Sequence, residues 1–160
     1  MSPLVFKNRG GRIIRQIRYE ENGVARWEIV PGLFLGGYAT PPDMDDIEVV
    51  IDLTGTTPMD LFGKLYICWA IQDAPVLPDG DLLRDLARYV MWLVTDHKRV
   101  LVRCGAGLNR SALIVARALM TRGMRAETAI GLVREKRGPE ALSNSTFVDW
   151  LKSEDVPHEG

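Results

Sequence analysis

The first apolar runs of the chain are short and β-prone. In "RIIRQIRYEENGVARWEIV" two such runs flank Asn22-Gly23, a pair that tolerates the positive φ angles of a two-residue turn, so a hairpin is predicted there. "PGLFLGG" (Pro31 to Gly37) reads as a short strand between turn residues, and "PPDMDD" (Pro41 to Asp46) suits a turn or one helical turn. "IEVVIDL" and "KLYICWAI" are nearly unbroken apolar runs. That pattern predicts buried strands covered on both faces by helices.

The spacing then becomes helical. In "DGDLLRDLARYVMWLVTDHK", Asp79 or Asp81 can cap a helix whose apolar positions are Leu82, Leu83, Leu86, Val90, Leu93 and Val94, and the strand "RVLVR" follows. "SALIVARALMTR" is apolar almost all round, the mark of a central helix, and Gly123 can end it. "AETAIGLVREKR" is another helix. Arg134, Lys136 and Arg137 suit its carbonyl end, and Gly138-Pro139 stops it. A final short helix starts near Asn144 and buries Phe147, Trp150 and Leu151. Strands alternating with helices predict one α/β domain, a mostly parallel twisted sheet flanked by helices. The expected division is an N-terminal strand or hairpin extension over 1–26, the domain proper over 27–152 and a flexible tail over 153–160.

Composition narrows the function. A chain of 160 residues, 46% hydrophobic and 26% charged, has room for one such core and not for two. Lys plus Arg is 20 and Asp plus Glu is 21, so the net charge of -1 gives no global affinity for nucleic acid or anionic lipid. Cys68, Cys104, His97 and His158 have neither zinc-ligand nor disulfide-framework spacing. "MSPLVFKNRGGR" lacks the apolar core of a signal peptide, and no apolar run approaches the roughly 20 residues that span a bilayer. A cytoplasmic protein without a membrane segment is expected.

The chemistry concentrates in "RVLVRCGAGLNRSALIVARALM". Cys104 ends a strand, Arg110 opens a helix, and Gly105, Ala106, Gly107, Leu108 and Asn109 lie between. A loop of this composition can turn its backbone N–H groups inward at a helix N-terminus, which makes a socket for a tetrahedral anion. Such a field favours a thiolate, so Cys104 is the candidate nucleophile. Arg110 can fork onto two phosphate oxygens and hold the charge of an in-line transition state. Ser111 can donate a hydrogen bond to the sulfur as it leaves.

At these residues the chain resembles the cysteine-dependent phosphatases of the protein tyrosine phosphatase superfamily, specifically the compact dual-specificity type. Their signature is a histidine, the nucleophilic cysteine, five loop residues, arginine, then serine or threonine. Cys104, Arg110 and Ser111 fill those places. "IVPGLFLGG", "VVIDLT" and "NSTFVDWL" extend the likeness over roughly Glu28 to Leu151. The resemblance implies a general acid about thirty residues before the cysteine. Asp73 in "AIQDAPVLPD" occupies that place, with Asp79 and Asp81 as alternatives better suited to helix capping, while Asp52 ends a strand and turns the chain. Two positions depart from the pattern: Arg103 replaces the histidine, and Trp150 stands where many relatives carry a glutamine.

The expected reaction is hydrolysis of phosphate monoesters on phosphotyrosine, and on phosphoserine or phosphothreonine, in proteins or peptides, through a phosphocysteine intermediate. No metal or organic cofactor is implied. "GLNRS" also resembles the loop of RNA 5′-triphosphatases in the same superfamily, and Lys7, Arg9, Arg12, Arg15 and Arg18 form a basic strip, so RNA is the second reading. Those enzymes usually lack the aspartate, and such a strip also serves as a solvated strand edge. A catalytically inactive phosphate-binding module is the third reading. Cys68, on an apolar strand, is either core or a disulfide partner for an oxidised Cys104.

Overall fold

The computed structural model describes residues 5–7, 13–16, 26–38, 40–41, 44–55, 61 and 63–155. Among these residues seven strands and four helices follow one another as β1 Val5–Lys7, β2 Ile13–Gln16, β3 Arg26–Val30, β4 Leu33–Gly36, β5 Val49–Asp52, β6 Leu65–Cys68, α1 Gly80–Thr95, β7 Val100–Arg103, α2 Arg110–Thr121, α3 Ala126–Arg137 and α4 Ser145–Ser153. The main sheet has the order β3-β4-β7-β5-β6, with β3 antiparallel to β4 and the other pairs parallel.

The N-terminal pairing differs from the hairpin expected around Asn22-Gly23, a turn that lies outside the described residues. Strand β2 pairs with β1 in a separate two-stranded sheet, and β3 pairs with β4. Pro31-Gly32 supplies that second turn: proline presets φ, and Gly32 takes φ 84°, open to glycine at little cost.

Strand alternation divides the core. Leu33, Leu35, Val49, Ile51, Val100 and Val102 share one cluster with buried residues of all four helices. Phe34, Val50 and Leu101 face the other way, with Ile47 and the flanking Met44 and Tyr66. Among the described residues, then, the helices lie on one face, not on both as expected. Among the described residues the guanidinium groups of Arg26 and Arg99 cover Phe34 on the second face, 4.2 and 4.8 Å from its ring centroid. Asp46 binds both, at 2.8 and 3.0 Å. The hydrogen bond from Arg26, supported by Arg99, holds its carboxyl down at about 2.

Strand β6 is an edge and not a buried strand. Among the described residues only β5 flanks it, and Leu65 and Cys68 are exposed.

Local signals set the helix ends. Asp79 caps α1 by accepting from the N–H groups of Asp81 and Leu82, and α1 buries Leu83, Ala87, Val90, Met91, Leu93 and Val94 while Leu82 stays exposed. Helix α2 runs buried through the middle, packed on α1, α3 and α4, and Gly123 follows it at φ 94°. Asn144 caps α4, which buries Phe147 and Leu151. Trp150, expected in the core, is half-buried beside the start of α1, with Arg84 5.9 Å over its ring.

Candidate active site

Strand β7 delivers Cys104 to the C-terminal edge of the sheet, where the cysteine N–H donates to the Gly36 carbonyl at 3.1 Å and the side chain is buried. The next four carbonyls are all turned outward. Gly105 O accepts from the N–H of Tyr38 at 2.8 Å and Leu108 O from that of Leu142 at 2.8 Å. Arg137 donates from Nη2 to Ala106 O at 3.2 Å and from Nε to Gly107 O at 2.9 Å. In a trans peptide the C=O and the following N–H point in opposite directions. The N–H groups of Ala106, Gly107, Leu108 and Asn109 therefore face the inside of the loop, a concave array of donors suited to an oxyanion.

Close approach requires glycine at two points. Gly107 has φ 65°, and a Cβ there would stand 2.9 Å from Gly36 O; a Cβ on Gly37 would stand 2.7 Å from Gly105 O. At the start of α2 the Asn109 side chain makes no capping bond to the first turn. The positive end of the helix thus opens toward the same space.

The structure brings Ser111 Oγ within 3.1 Å of Cys104 Sγ, both buried. Arg110 Nη1 donates to Ile71 O at 3.1 Å. A Cβ built on Gly105 would lie 2.9 Å from Arg110 Nη2 and 3.1 Å from Tyr38 Cε2, so guanidinium and ring converge beside the loop mouth. Tyr38 is otherwise 62% exposed.

Asp73 lies against the same loop. Its Oδ2 accepts from Asn109 Nδ2 at 3.0 Å and its Oδ1 from Asn144 Nδ2 at 3.0 Å. The two alternatives are elsewhere: Asp79 caps α1, and Asp81 pairs with Arg84 at 2.7 Å.

Arg103, in place of the histidine, points away from the thiol. It pairs with Asp52 at 2.7 Å, and both side chains are buried. Asp52 also accepts from Thr54 N at 2.9 Å and Thr54 Oγ1 at 2.6 Å, the turn expected of it. Burial first, then the charge of Asp52 and the nearby Cys68, pushes the Tyr66 hydroxyl up. Cys68 cannot bridge to Cys104. It stands opposite Asp52, which stands opposite Arg103, so β5 separates the two cysteine strands by about 10 Å, beyond the ~7 Å limit for a disulfide.

Two contributors are not legible as site residues in the sequence, and a third, Asn109, is legible there only as part of the phosphate socket. Arg137 reads in the sequence as a charge at the helix's carbonyl end, yet it is buried with its guanidinium 3.9 Å over the Trp27 ring and braces the loop. Asn144 reads only as a cap, and for neither asparagine does the sequence reveal the contact with Asp73. Of the basic strip, Lys7 and Arg15 fall in β1 and β2, while Arg9, Arg12 and Arg18 lie outside the described residues. Among the described residues no helix is long and apolar enough to cross a membrane.

A mostly parallel sheet that ends in a thiol, a ring of inward N–H groups and an arginine at a helix start defines an α/β protein with a socket suited to an oxyanion. Comparison with known proteins narrows this: the dual specificity phosphatase catalytic domain matches residues 33–155, and the chain belongs to that family. It is 28% identical over 127 residues to human Dual specificity protein phosphatase 2, covering 75% of this chain and 40% of that protein. To human Protein tyrosine phosphatase type IVA 3 it is 36% identical over 99 residues, or 60% of this chain and 55% of the other. The crystal structure of DUSP15 superimposes with a TM-score of 0.72 at 23% identity, over 80% of this chain and 85% of that one. The chain thus spans about half or less of the length of these two curated relatives.

Proposed function

We propose that this protein hydrolyses phosphate monoesters on proteins or peptides through a phosphocysteine intermediate. The observation that carries the reading is the outward turn of four successive loop carbonyls around Cys104, which leaves a ring of N–H donors for the three non-bridging phosphate oxygens.

Cys104 Sγ, as thiolate, attacks phosphorus while the bond to the ester oxygen breaks, and Arg110 holds the spreading negative charge. Asp73, protonated, gives its proton to the leaving oxygen. Asp73, now a carboxylate, takes a proton from water as that water attacks phosphorus; the S–P bond breaks, and the Ser111 hydroxyl stabilises the departing thiolate. Phosphate leaves and the thiolate is restored. The Tyr38 ring beside the loop mouth favours aryl phosphates, so phosphotyrosine is the preferred substrate. Both cysteines are free, in keeping with a reducing, cytoplasmic setting.

The test is phosphate release from p-nitrophenyl phosphate and from phosphotyrosine, phosphothreonine and triphosphorylated RNA side by side. Wild-type protein should act on the aryl esters and be blocked by vanadate, and Cys104→Ser should lose about 10⁴-fold or more. Turnover by Cys104→Ser comparable to wild type would sink the reading. Release from triphosphorylated RNA alone would replace it with the triphosphatase, and binding without turnover with the inactive module.

A further inference from the structure

We infer that Asn109 and Asn144 form an amide clamp that holds Asp73 over the phosphate socket before any substrate arrives, so that both are positioning residues for proton transfer. This rests on the phosphatase reading above.

Between its core anchors Ile71 and Leu77, the segment that carries Asp73 has little apolar surface to hold it. Gln72, Asp73, Pro75 and Val76 are all exposed, Val76 at 63%. Polar contacts take over, and each comes from a group whose orientation is already decided. The Asn109 carbonyl oxygen accepts from the Asn144 N–H at 2.9 Å, which turns its amide nitrogen toward Asp73 Oδ2 at 3.0 Å and Ser143 Oγ at 3.2 Å. The Asn144 carbonyl oxygen is committed to the N–H groups of Thr146 and Phe147, which turns its nitrogen toward Asp73 Oδ1 at 3.0 Å and Ala74 O at 2.9 Å. Flipping either amide would set oxygen against oxygen. Arg110 adds a third tie at Ile71 O.

The clamp places one neutral donor on each carboxyl oxygen, which leaves each oxygen a second lone pair for the transferred proton. It also joins three distant pieces of chain: the anion loop, the acid segment and the cap of α4. The acid is therefore in place at encounter, and no closing step has to bring it there.

Asn109→Ala removes one donor. Asn144→Asp keeps an acceptor for the α4 cap but removes the other donor and sets a carboxylate against Asp73. Each should lower kcat by about 10–10² on phenyl phosphate, whose phenolate needs the proton, and by clearly less on p-nitrophenyl phosphate, with KM unchanged. In an Asp73→Asn background Asn109→Ala should cost nothing more, since both act through the same proton. Hydrogen exchange of the segment from Ile71 to Leu77 should quicken in both variants while α2 stays protected. Equal losses on the two esters, a raised KM or full additivity with Asp73→Asn would overturn the clamp, because each means that Asn109 serves the socket alone. If wild-type protein turned over nothing, the phosphatase reading would fall, and exchange would decide the clamp: unchanged exchange in both variants overturns it.

Discussion

Asp52 and Arg103 stand opposite one another in the parallel register of β5 and β7, and Arg103 Nη1 lies 2.7 Å from Asp52 Oδ2 with side-chain exposures of 10% and 0%. The pair sits directly beneath the cysteine loop. Arg103 Nε is buried without a hydrogen bond, so the guanidinium depends on this carboxylate. Asp52→Asn should lower the free energy of unfolding by about 3–5 kcal/mol, the usual consequence of leaving one member of a buried pair. The double variant Asp52→Asn/Arg103→Met should recover much of that loss. Urea titration of the three proteins checks both points.

The same logic applies to Arg137, whose fork holds two loop carbonyls while its face packs on Trp27. Arg137→Met keeps an unbranched apolar stem against the ring but releases Ala106 O and Gly107 O. The N–H ring should lose its register, and vanadate should bind at least about tenfold more weakly, equivalent to ~1.4 kcal/mol. Titration calorimetry measures this. An unaltered affinity would mean that the loop holds its shape without the brace.

Asp73 and Asp79 should separate cleanly. Asp73→Asn removes the proposed proton donor and should slow turnover of phenyl phosphate by about 10²–10⁴-fold. Asp79→Ala should leave that rate alone and cost about 1 kcal/mol of stability, because its side chain caps α1. Steady-state rates beside thermal melts of both variants distinguish acid from cap.

Acid should loosen the fold through Asp46 and Glu154. Asp46 is held at about 2, below its ordinary 3.8, chiefly by the hydrogen bond from Arg26. For Glu154, burial alone would push the carboxyl up, but Arg84 and Arg117 outweigh it and the net shift is downward. Folded-state values below unfolded ones mean that the stabilisation is complete above the ordinary carboxylate range and is lost as pH falls through the folded values. Urea midpoints should thus drop between about pH 4 and pH 2. Asp46→Asn should flatten part of that slope, and salt should shrink its share, since the Asp46 side chain is 42% exposed.

What the chain reveals by itself is what neighbouring residues decide among themselves. The strand-then-helix switch around Cys104, the glycines that admit a tight loop, the caps at Asp79 and Asn144, and the stops at Gly123 and Gly138 all act within a few residues, so periodicity and turn chemistry expose them. The choice of partners is different. Isolated, "RIIRQIR" can pair with either neighbouring run, and "KLYICWAI" is as apolar as a central strand; only the assembled sheet makes β6 an edge and sends β2 to β1. The site divides in the same way. Cys104, Arg110 and Ser111 are close in sequence and therefore legible. The reach of Arg137 to Gly107, of Asn144 to Asp73 and of Arg103 to Asp52 spans 30, 71 and 51 residues. Those contacts join side chains with no local tie to one another, and each exists because packing α1 to α4 against the sheet gathers the chain ends of β5, β7 and α3 around a single loop.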